Sequence, residues 1–255
     1  MGEEKKSLDV LGIKPLSDAA LVVVQGVVDG AGAFLGRICL PAAEELGLLL
    51  KDKVSAWRAR NAAAISLEAK KILETEGKED VHAHPRIVGK IIEEGSWEDD
   101  PDLQKLWAGL LASSCSQDGR DQSNLIFINL LKQMTSSEVK LVNYACERSK
   151  KKLTGNGLIV ADGDFAISTE EVQNILGTSD IHQADVEMDH LREIGILSTY
   201  SGFRYEHGPA DITPSALALH LYVRCQGKSL SPIEFYGLSE ATATPANSIV
   251  PVTDP

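Results

Sequence analysis

No phosphate-binding glycine loop, dinucleotide fingerprint, nucleophile elbow or CxxC pair occurs in this chain. The four cysteines, at positions 39, 115, 146 and 225, are separated by long stretches, whereas zinc fingers and thioredoxin-like sites need two within a few residues. Met1-Gly2-Glu3-Glu4-Lys5-Lys6 has no apolar stretch directly behind it, so no secretion signal is read there. The myristoylation pattern also fails, because Lys6 stands where Ser or Thr is required. The cysteines are therefore expected to be four free thiols, buried or half-buried, in a reducing cytoplasmic setting. Aromatic residues are scarce at 5%, yet 43% of the chain is hydrophobic, which points to aliphatic packed cores and excludes global disorder. Net positive charge is missing too. At −12, with a pI near 5.0, the surface repels phosphate backbones and anionic lipid heads.

What is present is mostly helical patterning. Residues 1–15 form a polar leader ending at Pro15. Ser17 and Asp18 read as an N-cap for an apolar helix through Arg37. Pro41 opens a second helix to about Glu76, with Leu46, Leu49, Leu50, Val54, Trp57, Ala64, Leu67 and Ile72 at three- and four-residue steps. A charged break over 77–84 precedes a helix from Pro85 to Ile92. The acidic turn Glu98-Asp99-Asp100-Pro101-Asp102 then leads into a helix carrying Leu103, Leu106, Trp107, Leu110 and Leu111. Helical patterns follow at 122–134 and 137–152, the latter behind the Thr135-Ser136-Ser137-Glu138 capping signature.

The texture changes at Leu153. Residues 154–165 read as a loop with a short strand, and Ser168 caps a helix to Leu176. A helix over 182–194 has Val186, Met188, Leu191 and Ile194 as expected buried positions. A hairpin of 196–200 and 203–206 then turns at Ser201-Gly202, and Ile212-Thr213-Pro214 starts a last helix through Val223. Residues 227–255 read from their composition as a flexible tail. The expected organisation is thus a helical domain at 16–152, a small α+β module at 153–226 in the order of a winged helix, and the tail.

The most unusual stretch is 19–43. Asp29 and Arg37 interrupt it, so constitutive membrane spanning is disfavoured. Gly26 and Gly30, and again Gly32 and Gly36, place small residues one turn apart around Phe34, a spacing that permits close helix contact. The expected arrangement is a helix buried against Ala42, Ala43 and Leu46; the sharper alternative is one that meets a membrane when triggered. A winged helix implies DNA binding by its second helix. Here that helix carries Asp185, Glu187, Asp189 and Glu193 against Arg192, and residues 165–225 hold nine acidic residues to three basic. Only Arg204, in the expected wing, is placed to touch a phosphate, so nucleic acid is not the expected partner. His82 and His84 lack a third metal ligand by spacing. The carboxylates at 93–102 lack the alternation and central glycine of a calcium loop, so a capped helix start is the simpler reading. Ser113-Ser114-Cys115 lacks the glycines of a nucleophile elbow.

Two blocks carry a resemblance. Leu40-Pro41-Ala42-Ala43-Glu44-Glu45-Leu46-Gly47-Leu48-Leu49-Leu50-Lys51-Asp52-Lys53-Val54 is followed by Trp57-Arg58-Ala59-Arg60-Asn61. Pro85-Arg86-Ile87-Val88 leads to Glu93-Glu94-Gly95-Ser96-Trp97-Glu98-Asp99-Asp100-Pro101-Asp102-Leu103-Gln104 and on to Leu106-Trp107-Ala108-Gly109-Leu110-Leu111-Ala112. Together they resemble the Abi-alpha family of bacterial abortive-infection proteins, over most of 40–215. One departure is Ser113-Ser114-Cys115-Ser116, where the family's block continues as uninterrupted helix. The resemblance implies an anti-phage role and transfers no catalytic residue.

The expected function is therefore a non-enzymatic, cytoplasmic defence protein without cofactor or metal. It would act through contacts with a phage or host protein, through self-association, or through triggered membrane perturbation. Trp97, Asp99, Asp100, Trp107 and Arg204 are the candidate partner-binding residues. A winged-helix DNA-binding regulator is the alternative, and a metal-dependent hydrolase or nuclease built on 93–102 a more distant one.

Overall fold

The computed structural model describes residues 18–41, 53–203 and 208–238. The chain is mostly α, with small antiparallel sheets confined to its C-terminal part. Helices α1 (Asp18–Ile38) and α2 (Lys53–Thr75) pack on each other. Next come α3 (Pro85–Gly95), α4 (Pro101–Ser113), α5 (Leu125–Leu131) and α6 (Ser136–Arg148). The starts of three of these are written locally. His84 caps α3 by accepting from the Arg86 N–H, and Asp100 caps α4 by accepting from the N–H groups of Asp102 and Leu103. Thr135 and Glu138 form a reciprocal capping box on α6.

Helix α4 is the hub. Leu103 and every residue from Leu106 to Ser113 are buried, so it is covered on all sides, by α2, α3, α6 and the later helix α9 (Ala216–Cys225). Close packing with α2 is permitted by the small residues on that helix's inner side: Ala59, Ala62, Ala63 and Ala69 are buried beside Ile65 and Leu73. Pro41, expected to open α2, is described, but Leu46, Leu49 and Leu50, expected on that helix, lie outside the described residues, as do Ser17, Ala42 and Ala43; the described part of α2 begins at Lys53.

After α6, β1 (Lys151–Leu153) and β2 (Ile159–Ala161) form an antiparallel hairpin, pairing Lys152 with Val160. Then follow β3 (Ala166–Ile167), α7 (Thr169–Leu176), α8 (Ile181–Glu193), β4 (Gly202–Phe203) and β5 (Ala210–Asp211), with the sheet ordered β3-β5-β4. Ser168 caps α7 as expected, through the Glu171 N–H. The expected hairpin is corrected. Phe203, expected to pair with 196–200, stands with Gly202 in β4, whose partner is β5, with Phe203 opposite Ala210; residues 204–206 lie outside the described residues. Ile196 and Leu197 are core residues, and Leu197 bridges Pro214. Val186, expected inside, is exposed, because Ala184, Met188 and Leu191 form the inward stripe of α8. Residues 231–238, read from composition as part of the tail, include a short helix. Ser231 caps α10 (Pro232–Phe235), whose Phe235 meets Tyr222 edge-on, with ring centroids 6.1 Å apart.

Buried residues from Val28 to Cys225 make one contiguous apolar core, so the helical part and the small α+β part are joined through it. All four cysteines are free and buried, and burial pushes the Cys115 and Cys146 thiols up to about 12. Such thiols are packing groups rather than nucleophiles.

Helix α1 turns Val28, Ala31, Phe34, Leu35 and Ile38 inward, and Arg37 lies over the Phe34 ring at 5.7 Å. At Gly26, Gly30 and Gly32 no contact closer than ordinary packing is found. A side chain at Gly26 or Gly32 would meet nothing within 4 Å, and one at Gly30 would reach Leu67 only at an ordinary 3.9 Å; Gly36 is half-buried. Gly26→Ala and Gly32→Ala are therefore expected to raise stability by about 0.5–1 kcal/mol each, from backbone entropy alone. A lower urea midpoint for either variant would show that the glycine meets a neighbour. Among the described residues, no helix is long and apolar enough to cross a membrane.

Candidate functional site

The two sequence blocks that stand far apart in the chain meet at the turn between α3 and α4. Arg58 of α2 donates from Nε to the Ser96 hydroxyl at 3.0 Å and from Nη2 to the Glu93 carbonyl at 3.3 Å. One turn further, buried Asn61 donates from Nδ2 to the Ser96 carbonyl at 3.1 Å. Ser96 is itself buried and donates its hydroxyl to the Glu93 carbonyl at 3.1 Å. Two α2 side chains thus satisfy the carbonyls that end α3 and hold the turn rigid.

That turn presents Trp97. Its ring lies under the Arg58 guanidinium at 4.3 Å and beside Trp57, with centroids 6.2 Å apart and planes at 56°. The ring is held on two sides and still 53% exposed. A side chain at Gly95 would come within 2.9 Å of Ile65 and 3.1 Å of the Trp107 ring, so the turn seats on the core only because that position is glycine. Around the ledge stand Glu93, Glu94, Glu98 and Asp99. Glu93 pairs with Lys90 at 3.3 Å and Glu94 with Lys132 at 3.6 Å. Glu98 and Asp99 make no ion pair among the described residues. Burial, and then the charges of Asp99 and Asp100, raise the Glu98 carboxyl above its usual range. The surface is therefore an immobilised indole with a negative rim.

The rim carries a pH signature. Because the folded-state pKa of Glu98 is raised, its ionisation opposes folding at neutral pH, and that penalty vanishes as pH falls through the raised value. Glu98→Gln is expected to raise the melting temperature at pH 7 and to lose this advantage below pH ~4, where both forms are neutral. Equal melting temperatures at pH 7 would contradict the assignment.

A family model described as abortive infection alpha matches residues 58–211. The chain belongs to the abortive infection alpha family. The matched span contains Arg58, Asn61, Ser96, Trp97 and the acidic turn, with Trp57 one residue before it, so the ledge lies in the part that defines this abortive infection protein as a family member. No curated protein and no solved structure matches the chain.

The other residues singled out in the sequence are placed as follows. Trp107 is 1% exposed and sits in the core beneath the ledge, so it supports Trp97 and is not itself available to a partner. Trp97, by contrast, faces out. Asp100 is occupied as the α4 cap, while Asp99 is exposed. Gly26, Gly30, Gly32, Phe34 and Gly36 belong to α1. Arg204 lies outside the described residues. His84 is spent on its cap, and the His82 backbone pairs with Ser116. Among the described residues no three His, Cys, Asp or Glu side chains gather as a metal site. Ser113 and Ser114 are buried and accept from Asn124 Nδ2 at 2.9 and 2.7 Å, which is a packing role.

Sequence reasoning missed Arg58, Asn61 and Ser96 as a unit. Trp57-Arg58 and Gly95-Ser96-Trp97 were both visible as family blocks, but nothing local indicates that they touch. A cleft of about 540 Å³ opens elsewhere, between Lys78, Val81, Ser113, Cys115 and Arg224, where α2, α4 and α9 end. Its cations are engaged in the fold: Lys78 pairs with Glu76 at 2.7 Å, and Arg224 donates to the Ser113 carbonyl at 3.2 Å.

Proposed function

We propose that this abortive infection protein is a non-enzymatic effector that acts by binding another protein through the Trp97 ledge. The observation that carries the reading is an indole more than half exposed yet fixed by Arg58 and Trp57. A large aromatic group held still at the surface loses little entropy on binding, and Trp and Arg dominate the energetics of protein interfaces. The acidic rim selects a partner segment that is apolar with basic flanks. A phage or host protein, or a second copy of the chain, fits that description.

The test is a phage challenge with Trp97→Ala. The exposed ring leaves little core packing to lose, so the variant is expected to melt like the parent. Truncating an interface tryptophan costs about 2 kcal/mol or more, roughly 30-fold in affinity, so phage protection should collapse. Full protection by a folded Trp97→Ala protein overturns the proposal. Membrane potential is followed in the same cells. Because the apolar side of α1 is covered by α2, membrane perturbation would require α1 to leave the fold; depolarisation that persists in Trp97→Ala would favour that route.

One observation favours a second reading. After the separate β1–β2 hairpin, the element order from β3 to β5 is strand, helix, helix, strand, strand, with β3 pairing β5, an order like that of a winged helix. The exposed carboxylates on α8 oppose duplex binding. Salt-dependent duplex binding that weakens on Arg204→Ala would establish this reading, and its absence at low salt would end it.

A further inference from the structure

We infer that the outer face of α8, with the neighbouring Tyr200, is a docking surface for a basic amphipathic helix of a partner protein. The orientation of α8 is set by its inward stripe, Ala184, Met188 and Leu191, and by two polar ties to α6. Ser137 donates to Glu187 at 2.6 Å, and His190 Nδ1 lies 2.5 Å from Glu138 Oε1. What remains outward is His182, Asp185, Val186, Asp189 and Glu193, one continuous stripe at helical spacing.

Val186 is the anomaly in that stripe. It is 67% exposed at mid-helix, where valine is a poor helix former, so neither core burial nor propensity accounts for it. Ile181, at the start of the same helix, is 43% exposed. Arg192 donates to the Ser201 carbonyl at 3.0 Å and so holds the turn that carries Tyr200, which is 83% exposed. Three apolar or amphipathic groups are thus presented on one helix and the turn tied to it.

Charge identifies the occupant. Asp189 is paired with Arg192 at 2.6 Å, but Asp185 and Glu193 make no ion pair among the described residues. They stand on either side of Val186 along the helix. A phosphate backbone is repelled by this arrangement, whereas a segment with lysine or arginine flanking an aliphatic stripe satisfies both carboxylates and covers Val186. The 13-residue α8 spans about 20 Å, the length of a three- to four-turn partner helix. This surface lies on different elements from the Trp97 ledge and does not depend on it.

The experiment uses the full chain and a fluorescein-labelled helical peptide with leucines on one face and lysines flanking them, read by anisotropy. General attraction to an acidic protein is separated from docking by Val186→Asp. That change adds a negative charge to an exposed position, so bulk attraction would tighten binding, whereas docking weakens it, by an expected tenfold or more. Asp185→Asn with Glu193→Gln should weaken it to a similar degree. Circular dichroism melts check that the variants fold. Unchanged or tighter binding to Val186→Asp overturns the inference. So does a lack of saturation below about 1 mM peptide.

Discussion

Gly109→Ala is expected to unfold the protein or bring it close to unfolding. A side chain at position 109 would sit 1.7 Å from the Cys225 carbonyl oxygen, 2.4 Å from its carbon and 3.0 Å from its Cα. All three are backbone atoms at the end of α9, so no rotamer change relieves the clash. Either α9 or α4 must shift by more than an ångström, and both are buried against several other elements. Overpacking typically costs about 1–3 kcal/mol where side chains can adjust. Here they cannot, so a loss at or above about 3 kcal/mol is expected, a large share of the 5–15 kcal/mol that holds an ordinary domain together. Gly89→Ala is the control. That glycine lies within α3 with nothing inside 4 Å of the added carbon, so alanine should stabilise by about 0.5–1 kcal/mol. Urea midpoints for the two variants should therefore move in opposite directions. A Gly109→Ala protein as stable as the parent would mean that α4 and α9 do not approach this closely.

The second large effect is expected at Trp107. It heads the largest fully buried side chains and packs against the turn that carries Trp97. Trp107→Ala should cost about 3–5 kcal/mol in unfolding free energy, through lost burial and the cavity left among Ile65, Gly95 and the α4 neighbours. Among the described residues its indole Nε1 has no hydrogen-bond partner, and a stranded buried donor costs about 1–3 kcal/mol. Trp107→Phe removes that donor along with some volume, so its penalty should fall well below that of alanine. The pair also separates structure from recognition. Trp107→Ala loses phage protection by unfolding, whereas Trp97→Ala is expected to lose it while melting normally. If Trp107→Ala costs less than about 1 kcal/mol, the core assignment fails.

Helix starts and helix faces were legible in the sequence because the interactions that make them span only a few residues. Asp100 before Pro101, Thr135 with Glu138, and Ser168 each satisfy backbone donors within one turn. The acidic cluster at 98–102 was correctly read as a helix start for the same reason. The wing was misread because its strands are two residues long and hold too little pattern; β5 finds β3 some forty residues back, and Ile196 and Leu197 go into the core instead.

The sequence by itself determined that this protein is mostly helical, acidic, of the abortive infection alpha family, and capped where its helices begin, because composition and short-range hydrogen bonding carry that information. Only the tertiary structure decided which of two tryptophans ten residues apart faces water. Both flank the same acidic turn, and periodicity marks a face without saying whether another element will cover it. Trp107 is covered by α2 and α3. Trp97 is left outside on a turn that Arg58 and Asn61 hold by its carbonyls, a contact made across more than thirty residues of chain. The same is true of Gly109, whose need for no side chain is set entirely by a carbonyl more than a hundred residues away.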